Sequence, residues 1–193
     1  MVTNPQLIIK NKNMKKSILS IIVFAITLVF SNEVVAQKFE GLDKSPMDAA
    51  TYPSSYRISD KKVKVIYSRP QLKGRSLAKL APMGKVWRTG ANEAAEITFY
   101  KDVTFGGKKV KSGTYTLFTI PGEKEWTLIL NTAKNVWGSY FYSESEDVVR
   151  VTAPTSKSDE TIQAFSIAFD GEDDEFYMYI GWDNVIVTVP IKG

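Results

Sequence analysis

The chain has 193 residues, 44% of them hydrophobic, with 25 Lys and Arg against 21 Asp and Glu, and it contains no His and no Cys. Without these two residue types the sequence excludes Ser-His-Asp and Cys-His nucleophiles, imidazole general bases and ordinary zinc or iron–sulfur sites. It also excludes a disulfide framework, so the fold has to rest on its hydrophobic core.

The N-terminal segment, residues 1–36, has the layout of a secretory signal peptide. Met14 and two lysines form a short positive region, the apolar run 18–30 follows, and the small residue Ala36 precedes the expected cleavage point. The run is short for a bilayer span, which needs roughly 20 residues. Because the positive region begins at Met14, we expect translation to start there. We expect the segment to be cleaved and the mature protein to be periplasmic or extracellular. The alternative is an uncleaved N-terminal anchor.

Cleavage would remove most of the positive charge. Residues 1–36 hold four lysines and one glutamate, which accounts for three of the four net positive charges of the chain. The mature protein is then nearly neutral and lacks the sustained basic surface that a nucleic-acid partner needs. Its length suits one domain with a core of its own.

Residues 37–56 contain Gly and Pro breakers and little periodicity, so we expect an N-terminal lead-in before a domain over 57–193. From there, apolar residues alternate with polar ones or form β-branched and aromatic runs, which predicts β-strands. The predicted strands are 63–67, 97–100, 103–105, a short one leading through Val110, 114–120, 126–130, 148–151, 162–169, 176–182 and 185–191.

Turn signals separate these strands. Gly106-Gly107 and Asp183-Asn184 each suit a two-residue hairpin turn, and 155–158 has the composition of a loop. The one helical candidate, 76–81, is stopped early by the Pro and Gly that follow it. Eight to ten short strands without βα units predict an all-β fold, a single antiparallel β-sandwich or jelly-roll-like domain.

Three segments occur together in a way that is typical of one family. They are 67–75 (YSRPQLKGR), 84–93 (GKVWRTGANE) and 113–122 (GTYTLFTIPG), with Trp126 and Trp137-Gly138 after them. Over about 48–191 the chain resembles the exported bacterial proteins known as domain of unknown function 2911. The resemblance implies a secreted or periplasmic protein of Bacteroidetes-type bacteria, and it brings no activity, substrate or catalytic residue.

The run from Trp87 to Glu93 is the leading candidate for a binding site. Arg88 can clamp a carboxylate or phosphate with its planar guanidinium. Asn92 and Glu93 can hydrogen-bond sugar hydroxyls or orient Arg88, and Trp87 offers a flat apolar platform. The alternative is a structural loop in which Arg88 pairs with Glu93 or Glu96 and Asn92 caps a turn.

Three further residues belong to the candidate binding site. Arg69 and Arg75 follow a strand end and would complete a three-arginine anion pocket if they turned toward Arg88; solvated surface charges are the alternative. Trp137 opens the aromatic-rich run 137–142. If exposed, this run would suit a carbohydrate or a peptide, and a buried satellite cluster is the other interpretation.

Carboxylates suggest two further chemistries. Asp170–Glu175 places five carboxylates in six residues, but the spacing does not match the calcium-binding loop that ends in a bidentate glutamate. We therefore predict an acidic hairpin turn, no metal site and no cofactor. Glu93 and Glu96 could be the acid and base of a glycan hydrolase, which uses two carboxylates roughly 5–10 Å apart.

The sequence thus favours a non-catalytic module of the bacterial envelope that binds a small molecule, a glycan or a partner protein. We expect no integral membrane span after signal cleavage. Two alternatives stay open, a carboxylate-dependent glycan hydrolase and a purely structural envelope protein.

Overall fold

The computed structural model describes residues 37–193, so the predicted signal peptide and the start at Met14 lie outside the described residues. One compact unit spans Leu42–Gly193. In the described part of the chain, no helix combines the length and the apolar character needed to cross a bilayer.

Residues 37–193 contain nine antiparallel β-strands in one sheet, with the order β1-β2-β3-β6-β7-β8-β9-β4-β5. The strands are β1 (Met47–Tyr52), β2 (Val63–Ser68), β3 (Ala95–Phe99), β4 (Val103–Phe105), β5 (Lys108–Val110), β6 (Gly113–Ile120), β7 (Glu125–Asn131), β8 (Asp147–Glu172) and β9 (Glu175–Lys192); a short helix α1 is Leu77–Leu80 and a 3-10 turn is Glu144–Glu146. The all-β antiparallel class is confirmed. The sandwich or jelly-roll detail is not, because the nine strands follow one another in a single sheet that does not close.

Two predicted strand boundaries are wrong, because bulges let a strand bend without ending. The segments 148–151 and 162–169, with the supposed loop 155–158 between them, all belong to the unbroken β8. Asp183-Asn184 likewise does not end a strand; Asp183 has a φ of 57° within β9. The first part of β8 pairs with β7 as far as Pro154, and its later part pairs with β9 from Thr155 onward. The register between β8 and β9 then shifts at two places, between Lys157 and Ile162 and between Ile162 and Ser166, as β-bulges do.

Other local predictions agree with the structure. Gly106 and Gly107 join β4 to β5 with φ values of 53° and 82°, as a tight hairpin turn requires. The predicted helix is confirmed as α1, with Ser76 at its N-cap position. The sequence pattern did not indicate β1, which lies within the expected lead-in and pairs with β2 from Met47 to Tyr52.

The main core lies on one face of the curved sheet. Trp87 stacks on Trp182, with ring centroids 5.6 Å apart, and meets Trp126 edge to face at 6.1 Å. The Tyr67 hydroxyl accepts from the Ile167 N–H at 2.9 Å and donates to the Ile167 carbonyl at 3.3 Å, which ties β2 to β8. Each large apolar side chain buried here contributes about 1.5–3 kcal/mol.

A smaller apolar cluster lies on the opposite face of the sheet. Phe118 of β6 and Ile129 of β7 point away from the main core, because the residues beside them in each strand point into it. Ala94 and partly buried side chains cover them, namely Val86, Ile120, Val136 and Tyr142. Two loops, 89–94 and 132–143, therefore form a layer over this outer face.

Candidate functional site

The predicted binding run forms a loop that leaves the line of β3 and returns to it. Trp87 and Thr119 of β6 form an antiparallel bridge, each donating its N–H to the other's carbonyl at 2.7 and 3.0 Å. Pairing with β6 resumes at Ala95, whose N–H donates to the Arg88 carbonyl at 3.0 Å. Residues 89–94 thus form a loop that interrupts the pairing with β6 between Trp87 and Ala95.

Backbone packing holds this loop. Thr89, Gly90 and Asn92 have φ values of 54°, 157° and 60°. A Cβ on Gly90 would lie 2.9 Å from the carbonyl oxygen of Ser68 at the end of β2, so this position requires glycine. Thr89 is fully buried and its hydroxyl donates to the Thr119 hydroxyl at 3.1 Å. The loop therefore keeps its shape without an ion pair.

The second outer-face loop pairs with the first; we call residues 89–94 and 132–143 together the loop pair. Glu93 and Trp137 form an antiparallel β-bridge between the two loops. Because bridged residues project their side chains to the same side, those of Glu93 and Trp137 leave the loop pair on one face. Backbone hydrogen bonds of 2.9 Å flank the bridge, from Gly138 to Asn92 and from Ala94 to Val136.

Three large side chains of the second loop are exposed, and we call them the aromatic ledge. Trp137 is 59% exposed, Tyr140 77% and Phe141 82%. The sequence left open whether the aromatic run is exposed or buried. Its first three aromatic residues are exposed, and only the last, Tyr142, packs against the smaller apolar cluster. Three exposed aromatic side chains within five residues make this loop a candidate interaction surface.

The ledge is carried by an anchored loop. The Tyr142 ring packs edge to face on Phe118 at 5.2 Å, and its hydroxyl donates to Asp147 Oδ2 at 2.6 Å. Burial first, and then the hydrogen bond to Asp147, raise the pKa of the Tyr142 hydroxyl. The Ser139 hydroxyl donates to the Val86 carbonyl at 3.1 Å. The loop is thus fixed to the rest of the domain at Ser139, between the first two exposed rings, and at Tyr142, after the last one.

Trp87 does not provide the predicted platform. Its side chain is only 5% exposed and stacks within the main core. The β-bridge to Thr119 explains this burial, because it puts Trp87 on the inner face and its neighbours Val86 and Arg88 on the outer face. Trp137 is the tryptophan whose ring a ligand can reach.

Arg88 lies on the outer face with a buried Nε that has no hydrogen-bond partner among the described residues. The predicted ion pair with Glu93 or Glu96 is not among the salt bridges of residues 37–193. A buried polar group left without a partner costs about 1–3 kcal/mol, and a charged one more. The alternative of a structural loop is therefore correct for the backbone, whose hydrogen bonds hold residues 89–94 in place. The Arg88 side chain does not contribute to this through an ion pair.

Arg69 and Arg75 are occupied by other acceptors. Arg69 donates to a β8 carbonyl at 3.0 Å, to Asp48 Oδ2 at 2.9 Å and to Ser166 Oγ at 2.7 Å. Arg75 donates to two backbone carbonyls of its own turn at 3.0 and 2.7 Å. Their hydrogen bonds thus serve the fold locally, and neither side chain shares an acceptor with Arg88.

Glu93 and Glu96 line one cleft of about 210 Å³ beside the loop pair. Its other lining residues are Met47, Ile66, Tyr67, Ser68, Ala94 and Asn135. Glu96 Oε1 accepts the backbone N–H of Asn135 at 3.0 Å. The two carboxylates considered for hydrolysis therefore share a concave site, in which one of them also holds the second loop.

The acidic segment Asp170–Glu175 is the hairpin between β8 and β9, as predicted. Lys62 pairs with Asp174 at 2.5 Å, and Lys192 pairs with Glu175 at 2.5 Å. The hydrogen bond from Lys62 lowers the pKa of the Asp174 carboxyl. Within residues 37–193, no three acidic side chains converge in a way that could hold a metal ion.

Two residues that shape the site were not singled out from the sequence. Asn135 has a φ of 54° and offers its N–H to Glu96. The available signal was the residue type, because Asn tolerates the left-handed region better than most residues. Thr89 gave no signal, since a buried threonine and an exposed one look the same in a polar run.

Comparison with known proteins identifies the family. The family described as Protein of unknown function (DUF2911) matches residues 45–191, so the chain belongs to this family, as its motifs predicted. No curated protein and no solved structure matches the chain significantly. The family assigns no activity, and the function has to be argued from the site itself.

Proposed function

We propose that this member of the family is an exported, non-catalytic module that binds a saccharide through the aromatic ledge. The observation that carries the proposal is the exposure of Trp137, Tyr140 and Phe141 on an anchored loop. A sugar ring presents a face of C–H groups that packs on the flat face of an aromatic ring, and Trp and Tyr add a polar edge. A rigid loop limits the ordering entropy that binding has to overcome.

Polar groups beside the ledge support this ligand class. Glu93, opposite Trp137 in the β-bridge, is exposed, and its carboxylate can accept hydrogen bonds from sugar hydroxyls. Asn92 is half-buried next to it, with a side-chain amide that can both donate and accept. An apolar surface with a few polar groups at its border is typical of small-ligand sites.

Export is part of the proposal. It rests on the signal-peptide layout that begins at Met14 and on the near neutrality of the chain after residue 36. An exported bacterial protein meets the glycans of the envelope and of the surroundings, so saccharides are available to it as ligands.

Tryptophan fluorescence offers a direct test. Of the four tryptophans, Trp137 is exposed, and Trp87, Trp126 and Trp182 are buried. Acrylamide should therefore quench mainly Trp137. We expect soluble envelope oligosaccharides to shield this fraction from quenching, and calorimetry to show that Trp137→Ala abolishes their binding.

Tyr56→Ala is the matched control, because Tyr56 is 88% exposed but lies outside the ledge. Binding should be unchanged in this variant. If none of a panel of envelope oligosaccharides shields Trp137, or if Tyr56→Ala weakens binding as much as Trp137→Ala, the proposal is wrong.

A glycan hydrolase remains the second candidate, because Glu93 and Glu96 line the same cleft. Such an enzyme would release new reducing ends from the oligosaccharides that it binds, and Glu93→Gln would stop the release while leaving binding in place. The binding module predicts no release by the unmodified protein. If the unmodified protein releases new reducing ends and Glu93→Gln does not, the protein is a hydrolase and the proposal of a non-catalytic binding module is wrong.

A further inference from the structure

The proposed saccharide site lies close to one buried arginine nitrogen that has no hydrogen-bond partner among residues 37–193. We propose that Arg88 binds the acid group of an anionic saccharide whose ring lies on the aromatic ledge. This inference rests on the proposed function and narrows its ligand class from saccharides in general to acidic ones.

The second loop contacts the chain near Arg88. Val86, two residues earlier on the same outer face, accepts the Ser139 hydroxyl at 3.1 Å. On the other side, the N–H of Ala94 donates to the Val136 carbonyl at 2.9 Å. The stretch between these two contacts contains Trp137, so the second loop is bonded to the chain on both sides of Arg88 close to the first residue of the ledge.

Arg88 differs from the other arginines of residues 37–193 in having no acceptor. Arg69 and Arg150 form ion pairs, Arg75 donates to backbone carbonyls and Arg57 donates to the Tyr56 hydroxyl. By contrast, the Arg88 Nε is the one buried side-chain nitrogen or oxygen in the described region that lacks a partner. An acceptor supplied by a ligand would satisfy this donor and remove the cost of leaving it unpaired.

The guanidinium group selects the chemistry of that acceptor. Its planar fork presents parallel N–H donors that match the two oxygens of a carboxylate or a phosphate. Both groups also remove the penalty of the buried donor, whereas a neutral hydroxyl contributes a weaker bond. A hydrogen bond to a charged group is worth about 1.5–3 kcal/mol, so an acidic sugar should bind about ten- to a hundredfold more tightly than its neutral counterpart.

The Nε–H groups of arginine give separate signals in nitrogen–proton correlation spectra, so the site can be observed directly in the unmodified protein. Five probes separate the possibilities: glucuronate, glucose phosphate, glucose, acetate and inorganic phosphate. We expect saturable shifts of the Arg88 signal with glucuronate or glucose phosphate, at much lower concentrations than with acetate or inorganic phosphate. Which acidic sugar binds more tightly identifies the acid group.

Arg88→Gln should remove the preference for the acidic sugar, bringing the affinity for glucuronate or glucose phosphate down to that for glucose. Arg57→Gln is the control, since Arg57 is exposed and its side chain contacts only Tyr56. If Arg88→Gln does not fold, the titration of the unmodified protein still decides the question.

Three results would overturn the inference. In the first, no probe shifts the Arg88 signal. In the second, acetate and inorganic phosphate act as strongly as the acidic sugars, which would mean an anion site without a saccharide. In the third, neutral oligosaccharides shield Trp137 from acrylamide but acidic sugars leave Arg88 unaffected. That last result would preserve the proposed function and reject only the role of Arg88.

Discussion

Arg69 and Arg88 show how one residue type takes opposite roles in two regions of the same sheet. Arg69 follows β2 and bonds a β8 carbonyl, Asp48 and Ser166, so it joins β1, β2 and β8. Arg88 follows the bridge at Trp87 and has a buried Nε with no partner among residues 37–193. The hydrogen bonds of the first arginine support the fold. The second keeps an unsatisfied donor, which is the basis of the ligand proposed for it.

Arg69→Ala should have the largest effect on stability. It removes three hydrogen bonds, one of them an ion pair with Asp48. Hydrogen bonds contribute about 0.5–1.5 kcal/mol each and more when charged, so we expect a loss of about 2–3 kcal/mol in urea unfolding. A loss below about 0.5 kcal/mol, the range of ordinary surface substitutions, would show that Arg69 is not a structural brace.

Gly90→Ala tests the backbone of the candidate site. The new Cβ would lie 2.9 Å from the Ser68 carbonyl oxygen, in a backbone conformation that side chains rarely adopt. We expect a loss of about 1–3 kcal/mol of unfolding free energy. Gly107→Ala is the matched control, because Gly107 has a φ of 82° but nothing within 4 Å of the added Cβ. Equal losses in the two variants would mean that the contact with Ser68 is unimportant.

Tyr142→Phe tests the anchor of the aromatic ledge and has a pH signature. Losing the hydrogen bond to Asp147 should cost about 1 kcal/mol at neutral pH. The pKa of the Tyr142 hydroxyl is raised by folding, so its contribution is full below the unfolded value of about 10 and is lost as the pH rises above it. The melting temperatures of the two proteins should therefore converge in alkaline buffer. A constant difference would contradict the proton-linked anchor.

Arg88→Met should have the smallest effect, and in the opposite direction. The substitution replaces an unpaired buried donor by an apolar chain of similar length, so we expect the unfolding free energy to stay unchanged or rise by up to about 1 kcal/mol. Thermal unfolding of the ligand-free proteins, Arg88→Met against the unmodified chain, measures this change in unfolding free energy. A loss comparable to that of Arg69→Ala would show that both arginines are structural.

Local physics made much of the fold readable from the sequence. Alternation along 63–67 and 114–120 needs only neighbouring residues to define a strand with one buried face. The glycine pair 106–107 indicates its turn because both positions need positive φ. Three motif segments together were sufficient to identify the family. The run 87–93 singled out Arg88, Asn92 and Glu93 as candidates, and the aromatic run 137–142 singled out Trp137.

The tertiary structure decided what those residues touch. A positive φ at Asp183 can end a strand or bend it, and the pairing of β9 with β8 makes it a bend. Trp87 belongs to the core because its bridge to Thr119 turns the ring inward, whereas Trp137 lies in a loop bridged to Glu93 and stays exposed. The sequence alone determined an all-β chain with an arginine-bearing loop. Only long-range pairing decided that Arg69 finds its acceptors, because Phe165 and Ser166 are brought to it by a strand almost one hundred residues away along the chain.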